Sequence, residues 1–420
     1  MTSEQPNHES RATAAGPLHR LRELGQSVWY DNIRRAMLRS GALARYRDEY
    51  AVTGVTSNPT IFERAIAGSS DYDEAILAAT DAGVDDPEEL FFSLATDDIR
   101  DAADVLRPVY EQSGGADGFA CLELSPRLSF DAEGSIASGR QLFARLDRPN
   151  VMVKVPGTVA GATAIEELIY SGVNVNVTLL FSVAQWEAVA EAYLRGLERR
   201  LDEGKDLNVS SVASFFISRI DRLANERLPY ELHNRLGVTN AHLAYGAYRR
   251  LLASDRWMRL ADAGARPQRL LWASTSTKDP TLPDTYYVSE LVAPETVNTM
   301  PDQTLVAFAD HGQVGELLSP DTVEAQRFAA RVADAGVDLD GLAMELQERG
   351  VQGFDESFRE LLNCLVSKAV VVRQADDPES RLGPVEAAVG DALHQLRERD
   401  AVARLWKRDH TLWQEQETEV

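Results

Sequence analysis

Along most of this chain, short apolar runs rich in β-branched residues alternate with longer stretches whose apolar positions recur at helical spacing. The runs at 27–31, 52–57, 119–124, 151–155, 173–179, 207–214, 270–274 and 286–292 predict strands. Stretches such as 160–170 and 183–200 between them predict amphipathic helices. Strands and helices in this alternation argue for a parallel sheet, and eight strands are the number that closes a (β/α)8 barrel of the TIM type. A doubly wound open sheet is the rival, but no glycine-rich dinucleotide loop follows an early strand. The fold class expected is therefore α/β, as a (β/α)8 barrel. Residues 1–16 read as a disordered polar arm, 17–315 as the barrel, and 316–420 as a helical extension packed on it.

Polar residues that interrupt the apolar pattern carry the candidate chemistry. In Val151-Met152-Val153-Lys154-Val155-Pro156-Gly157-Thr158, one lysine sits in a strand that a proline and a glycine close. Strand alternation places Met152 and Lys154 on one face and the three valines on the other. An ammonium there loses water, which disfavours its charge, and a free amine attacks a carbonyl to form a Schiff base. The ordinary alternative is a strand-end lysine held in an ion pair. In Asn174-Val175-Asn176-Val177-Thr178, polar residues alternate strictly with valine. In a sheet covered on both sides, the polar set lines the barrel interior.

Other strand ends offer partners for an amine. Asp31 closes the first strand, as a candidate acid/base or as a helix N-cap. Glu123 lies between two leucines, where it needs a cation such as Arg127 or Lys154. Asn58 precedes Pro59, either as turn chemistry or as an amide offered to a hydroxyl. Thr178 is a candidate holder of an ordered water, or a buried threonine bonded to backbone. Ser214 to Arg219, and Ser274, Ser276 and Lys278, place hydroxyls beside cations after the later strands, where barrels often bind phosphate.

Composition narrows the partners. The net charge of −23 opposes binding to nucleic acid or anionic membrane surfaces. A local cationic site for a phosphorylated substrate remains compatible with it. The two cysteines have no metal-binding spacing, and the seven histidines are scattered away from the strand ends, so neither metal nor cofactor is expected. No leader-like apolar core opens the chain and no apolar stretch reaches the length of a membrane span, so a soluble cytoplasmic protein is expected.

Taken in order, Asp, Asn-Pro, Glu, Lys, Asn-x-Thr and Ser/Arg at successive strand ends resemble the transaldolase family of lysine Schiff-base barrels. The matching segments are TGVTSNPTIF from 53, ELSPRLSFD from 123, VMVKVPGT from 151, NVNVTLLFS from 174 and SFFISRI from 214. The likeness spans roughly 20–300 and points to the longer actinobacterial and cyanobacterial branch. It implies Lys154 as the Schiff-base residue, Asp31 as acid/base, and Glu123 with Thr178 around the catalytic water. It implies Asn58 and Asn176 as hydroxyl ligands, with Ser214 and Phe216 at the substrate and Arg219, Ser274, Ser276 and Lys278 at its phosphate. The short branch carries an arginine where Ser276 stands, and Lys278 is the candidate replacement cation. The implied substrates are sugar phosphates, a ketose donor and an aldose acceptor, handled by a monomer or homodimer. Glu123 and Phe216 match transaldolases, whereas related fructose-6-phosphate aldolases carry glutamine and tyrosine there. The alternatives are aldolase-like cleavage on the same lysine, and a non-catalytic barrel acting as a binding module.

Overall fold

The computed structural model describes residues 16–376 and 386–406. The arm expected over 1–16 lies outside them except for Gly16. Eight strands form one closed parallel barrel: β1 (Gln26–Tyr30), β2 (Val52–Val55), β3 (Ala120–Glu123), β4 (Val151–Pro156), β5 (Val175–Leu180), β6 (Ser211–Phe216), β7 (Arg269–Ala273) and β8 (Thr296–Met300). Each pairs with the next, and β8 returns to β1 with Gln26 opposite Thr296 and Tyr30 opposite Met300. Seven of the eight are buried along their whole length, and β7 is open only at Arg269. That burial is the reason most of them read as near-continuous apolar runs.

The eighth strand departs from the expectation. The run at 286–292 contains the helix Tyr286–Glu290, and β8 lies further on at Thr296–Met300. An aromatic and β-branched run of this length fits a buried helix or a buried strand equally well. The true strand, TVNTM, has three polar residues in five and so lacked an apolar signal. Thr296 Oγ1 donates to Ala293 O at 2.6 Å and Thr299 Oγ1 lies 2.7 Å from Thr56 Oγ1, whereas the buried Asn298 carboxamide has no hydrogen-bond partner among the described residues.

Parity sorts the barrel interior into layers. At the floor, Asp117 accepts from Ser27 Oγ at 2.5 Å and Trp29 Nε1 at 2.8 Å, while Arg269 Nη1 donates to Ser27 Oγ at 2.7 Å. Above it, Trp29, Cys121, Met152, Val212, Leu271 and Val297 belong to one buried apolar cluster. Gly54 makes this layer possible, because a Cβ there would stand 2.4 Å from the Trp29 ring. The polar strand ends occupy the top.

The helix Val159–Tyr170 begins at this top face. Thr158 caps it, accepting from Gly161 N at 3.0 Å while its own hydroxyl donates to Ser129 O at 2.6 Å. Gly161 must be glycine, since a Cβ would come within 1.9 Å of Pro156 O. Gly161→Ala is therefore expected to destabilise the fold by about 1–3 kcal/mol through overpacking, read as a lower urea midpoint. An unchanged midpoint would show that β4 and the helix can separate freely.

The described chain forms two compact units. The first holds the barrel, residues up to Asn58 and Thr96–Glu356. It includes the helix Val323–Asp334 and the first part of the helix Leu339–Asp376, whose Phe328, Val332, Leu342, Leu346 and Phe354 join the same apolar cluster as Trp29 and Phe216. The second comprises Pro59–Ala95 with the chain from Ser357 onward. Its helices meet through Phe91, whose ring lies 5.3 Å from that of Phe62 and 5.6 Å from that of Phe358. Lys368 Nζ pairs with Asp73 Oδ1 at 2.8 Å in the same unit.

Candidate active site

Parallel register sets the centre of the top face, with Glu123 of β3 opposite Lys154 of β4 and Lys154 opposite Asn176 of β5. Lys154 is 5% exposed, and its Nζ donates to Ser57 O at 2.9 Å and to Glu123 Oε2 at 3.2 Å. Lys154 thus supplies the cation that a glutamate between two leucines needs. Burial pushes the Glu123 carboxyl above its ordinary value; the Lys154 charge pulls it back, and Asp31 raises it further.

Asp31 follows β1 directly, and its N–H continues the ladder to Met300 O at 2.8 Å. Its carboxyl is also raised, chiefly by burial, against the opposing pull of the Thr56 hydroxyl, Lys154 and Arg219. Thr56 Oγ1 donates to Asp31 Oδ1 at 2.6 Å, so the 2.7 Å link between Thr56 and Thr299 runs with Thr299 as donor. This threonine chain fixes one carboxylate oxygen and leaves the other for chemistry. Local sequence pattern marks neither threonine: Thr56 is one polar residue among several in TGVTSNPTIF, and Thr299 lies on a strand without an apolar signal.

Next round the barrel, Ser214 Oγ donates to Asn176 Oδ1 at 2.7 Å, and Asn176 Nδ2 lies 3.5 Å from Cys121 Sγ. Thr178 is fully buried, and its Oγ1 makes no hydrogen bond among the described residues. A buried hydroxyl without a partner marks a place for a water or a substrate oxygen. The Phe216 ring packs 5.2 Å from that of Phe181, and the Arg219 guanidinium lies 5.1 Å from the Phe216 centroid. Burial lowers the Arg219 pKa, and the negative fields of Asp31 and Glu123 oppose that shift. One guanidinium, one ammonium and two carboxyls therefore share a single electrostatic neighbourhood.

Asn58 lies three residues past the end of β2, next to the Ser57 carbonyl that Lys154 contacts. Ser274, just past β7, holds a left-handed φ of 57°, and its Oγ lies 3.0 Å from Ser218 Oγ. Ser218 N donates to Ser274 O at 3.2 Å, joining the β6 and β7 loops. Ser276 is half-buried, whereas Lys278 is exposed two residues further along its loop. Asp31, Glu123, Lys154 and Arg219 are drawn together, Asn176 and Ser214 touch, and Lys278 remains at the surface.

In parallel barrels the C-terminal strand ends carry chemistry and the opposite face carries stability. Here buried polar groups with raised carboxyl pKa values crowd the C-terminal ends, while an ion pair and apolar rings close the other, which is the organisation of a barrel enzyme. The chain belongs to the Transaldolase/Fructose-6-phosphate aldolase family, whose model matches residues 28–365. It is similar to the transaldolase of Frankia alni, 46% identical over 363 residues that cover 84% of this chain and 98% of that protein. The transaldolase of Saccharopolyspora erythraea is 47% identical over 362 residues, with 84% and 98% covered. Transaldolase 2 of Nostoc punctiforme is 42% identical over 371 residues, with 84% and 97% covered. Among the described residues, no helix is long and apolar enough to cross a membrane.

Proposed function

We propose that this chain is a transaldolase that moves a dihydroxyacetone unit from sedoheptulose 7-phosphate to glyceraldehyde 3-phosphate, releasing erythrose 4-phosphate and forming fructose 6-phosphate. Its setting would be the pentose phosphate pathway in the cytoplasm. The observation that carries this reading is the buried Lys154 amine, 3.2 Å from Glu123 and within the electrostatic reach of Asp31.

The Lys154 amine attacks the C2 carbonyl of the ketose, and loss of water from the carbinolamine gives a protonated imine. Glu123, its carboxyl raised by burial, exchanges the protons of this step through a water that Thr178 Oγ1 helps to hold. Asp31 then takes the C4 hydroxyl proton as the C3–C4 bond breaks. The bonding pair moves onto C3 and into the imine to form an enamine, and the aldose leaves. The acceptor aldehyde adds by the reverse sequence, and hydrolysis frees the lysine. Asn58 and Asn176 bind the hydroxyls of the retained unit, with Ser214 beside it. Phe216 shields the enamine from stray protons, and Arg219, Ser274, Ser276 and Lys278 bind the phosphate.

Incubation with fructose 6-phosphate and borohydride is expected to reduce the imine and label Lys154, mapped by peptide mass. A label elsewhere, or none, would sink the assignment. A separate incubation with fructose 6-phosphate, without borohydride and without an acceptor, separates transfer from aldolase-like cleavage, because only cleavage releases free dihydroxyacetone turnover after turnover.

A further inference from the structure

One side chain from far along the sequence reaches the strand ends beside the amine. Gln347, half-buried on the helix Leu339–Asp376, donates from Nε2 to Gly157 O at 3.0 Å and to Leu179 O at 3.0 Å. Gly157 follows the last residue of β4, three positions after Lys154, and Leu179 follows Thr178 directly. A carboxamide has two N–H groups in fixed divergent directions, so one side chain can bridge two carbonyls on adjacent strands.

The backbone it holds would not hold itself. Leu179 has a left-handed φ of 61°, at the point where the β5–β6 register shifts between Val177 and Leu180. A non-glycine residue in that region persists only when its surroundings over-determine it. The surroundings do so from three sides. Gln347 takes the Leu179 carbonyl. Gly350, three residues further along the helix, lets the helix approach, since a Cβ there would lie 2.8 Å from Leu179 Cδ2. Gly157 N donates to Thr178 O at 2.7 Å and ties the β4 end to the β5 end. Gln185 repeats the stitch one step on, accepting from Phe181 N at 2.8 Å and donating to Ala343 O at 3.4 Å.

We propose that Gln347 is a positioning residue: its carboxamide clamps the ends of β4 and β5, and so sets the placement of Lys154 relative to Thr178 during imine formation. This inference rests on the reading that Lys154 forms the imine. It assigns the first part of the long helix a part in the reaction rather than in packing alone.

The test uses the full chain carrying Gln347→Glu, which keeps the shape but faces two carbonyl oxygens with an acceptor. Gln347→Met keeps the packing and removes the donors without adding charge. For both, kcat of transfer is expected to fall about 10–100-fold, because small displacements of reacting groups cost rates of that order. KM for fructose 6-phosphate should stay within about two-fold, since the proposed phosphate contacts arise from the β6 and β7 ends. The rate of borohydride trapping at Lys154 should fall with kcat. Wild-type kcat in the Met variant would overturn the proposal, and so would a loss spread equally over kcat and KM that tracks a lowered melting temperature. If the Glu variant does not fold, the Met variant alone decides. Absence of a Lys154 label in the wild-type enzyme would instead refute the underlying reading.

Discussion

Lys154→Met is expected to abolish borohydride trapping by fructose 6-phosphate and to lower kcat about 10⁴–10⁶-fold, the range seen when a covalent nucleophile is removed. No neighbouring group can take over: the other cation that interacts with Asp31 and Glu123 is Arg219, a guanidinium that does not give up its proton. The substitution also has a structural signature. Lys154 is the main influence holding down the Glu123 carboxyl against burial. Without it, burial raises the Glu123 pKa further, opposed only by the weaker pull of Arg219. A carboxyl whose folded pKa is raised leaves the fold most stable below its ordinary value of 4.5, with stability lost as pH rises through the raised value. The melting-temperature deficit of the variant should therefore be smallest in acid and widen toward neutral pH. A deficit independent of pH would mean that Glu123 has found another cation.

Asp31→Asn should separate stability from catalysis. An amide oxygen can still accept from Thr56, so the 2.6 Å contact and the local shape survive. Losing the proposed proton acceptor for the C4 hydroxyl is expected to cost about 10²–10⁴ in kcat. Imine trapping at Lys154 should persist, because that step precedes carbon–carbon cleavage. Burial raises the Asp31 pKa above its ordinary 3.8, so the wild-type protein loses stability as pH climbs from that value through the raised one. The asparagine variant has no such loss. Its melting temperature should match the wild type near pH 3.8 and exceed it increasingly at higher pH. A variant less stable than the wild type at neutral pH would show that the carboxylate's attraction to Lys154 and Arg219 outweighs its desolvation.

Most of this architecture was legible because parallel strands buried on both faces leave a strong apolar mark. Seven strands fall within a few residues of where that mark put them. The eighth did not, because Thr296, Asn298 and Thr299 are buried polar residues on a strand that pattern alone reads as loop. At the site, Glu123, Lys154 and Asn176 stood out because period-two alternation puts each on the inward face of its strand. What the pattern could not carry was contact between distant positions. Thr299 meets Thr56 across 243 residues, and Gln347 meets Gly157 across 190. A threonine on a loop-like run and a glutamine on an amphipathic helix give no local sign of where they point. The left-handed turn at Leu179 was equally hidden, since leucine has no intrinsic preference for it.

The floor of the barrel bears on the order of events. Asp117, Arg269, Ser27 and the Trp29 indole lock that end, with the apolar layer stacked above them. Molecular traffic must then use one doorway. On the proposed mechanism, the outgoing aldose phosphate has to clear the mouth before the incoming one can reach the enamine, and each obstructs the other. Initial velocities plotted against one substrate at fixed levels of the other should give parallel reciprocal lines, with either aldose phosphate at high concentration slowing the exchange.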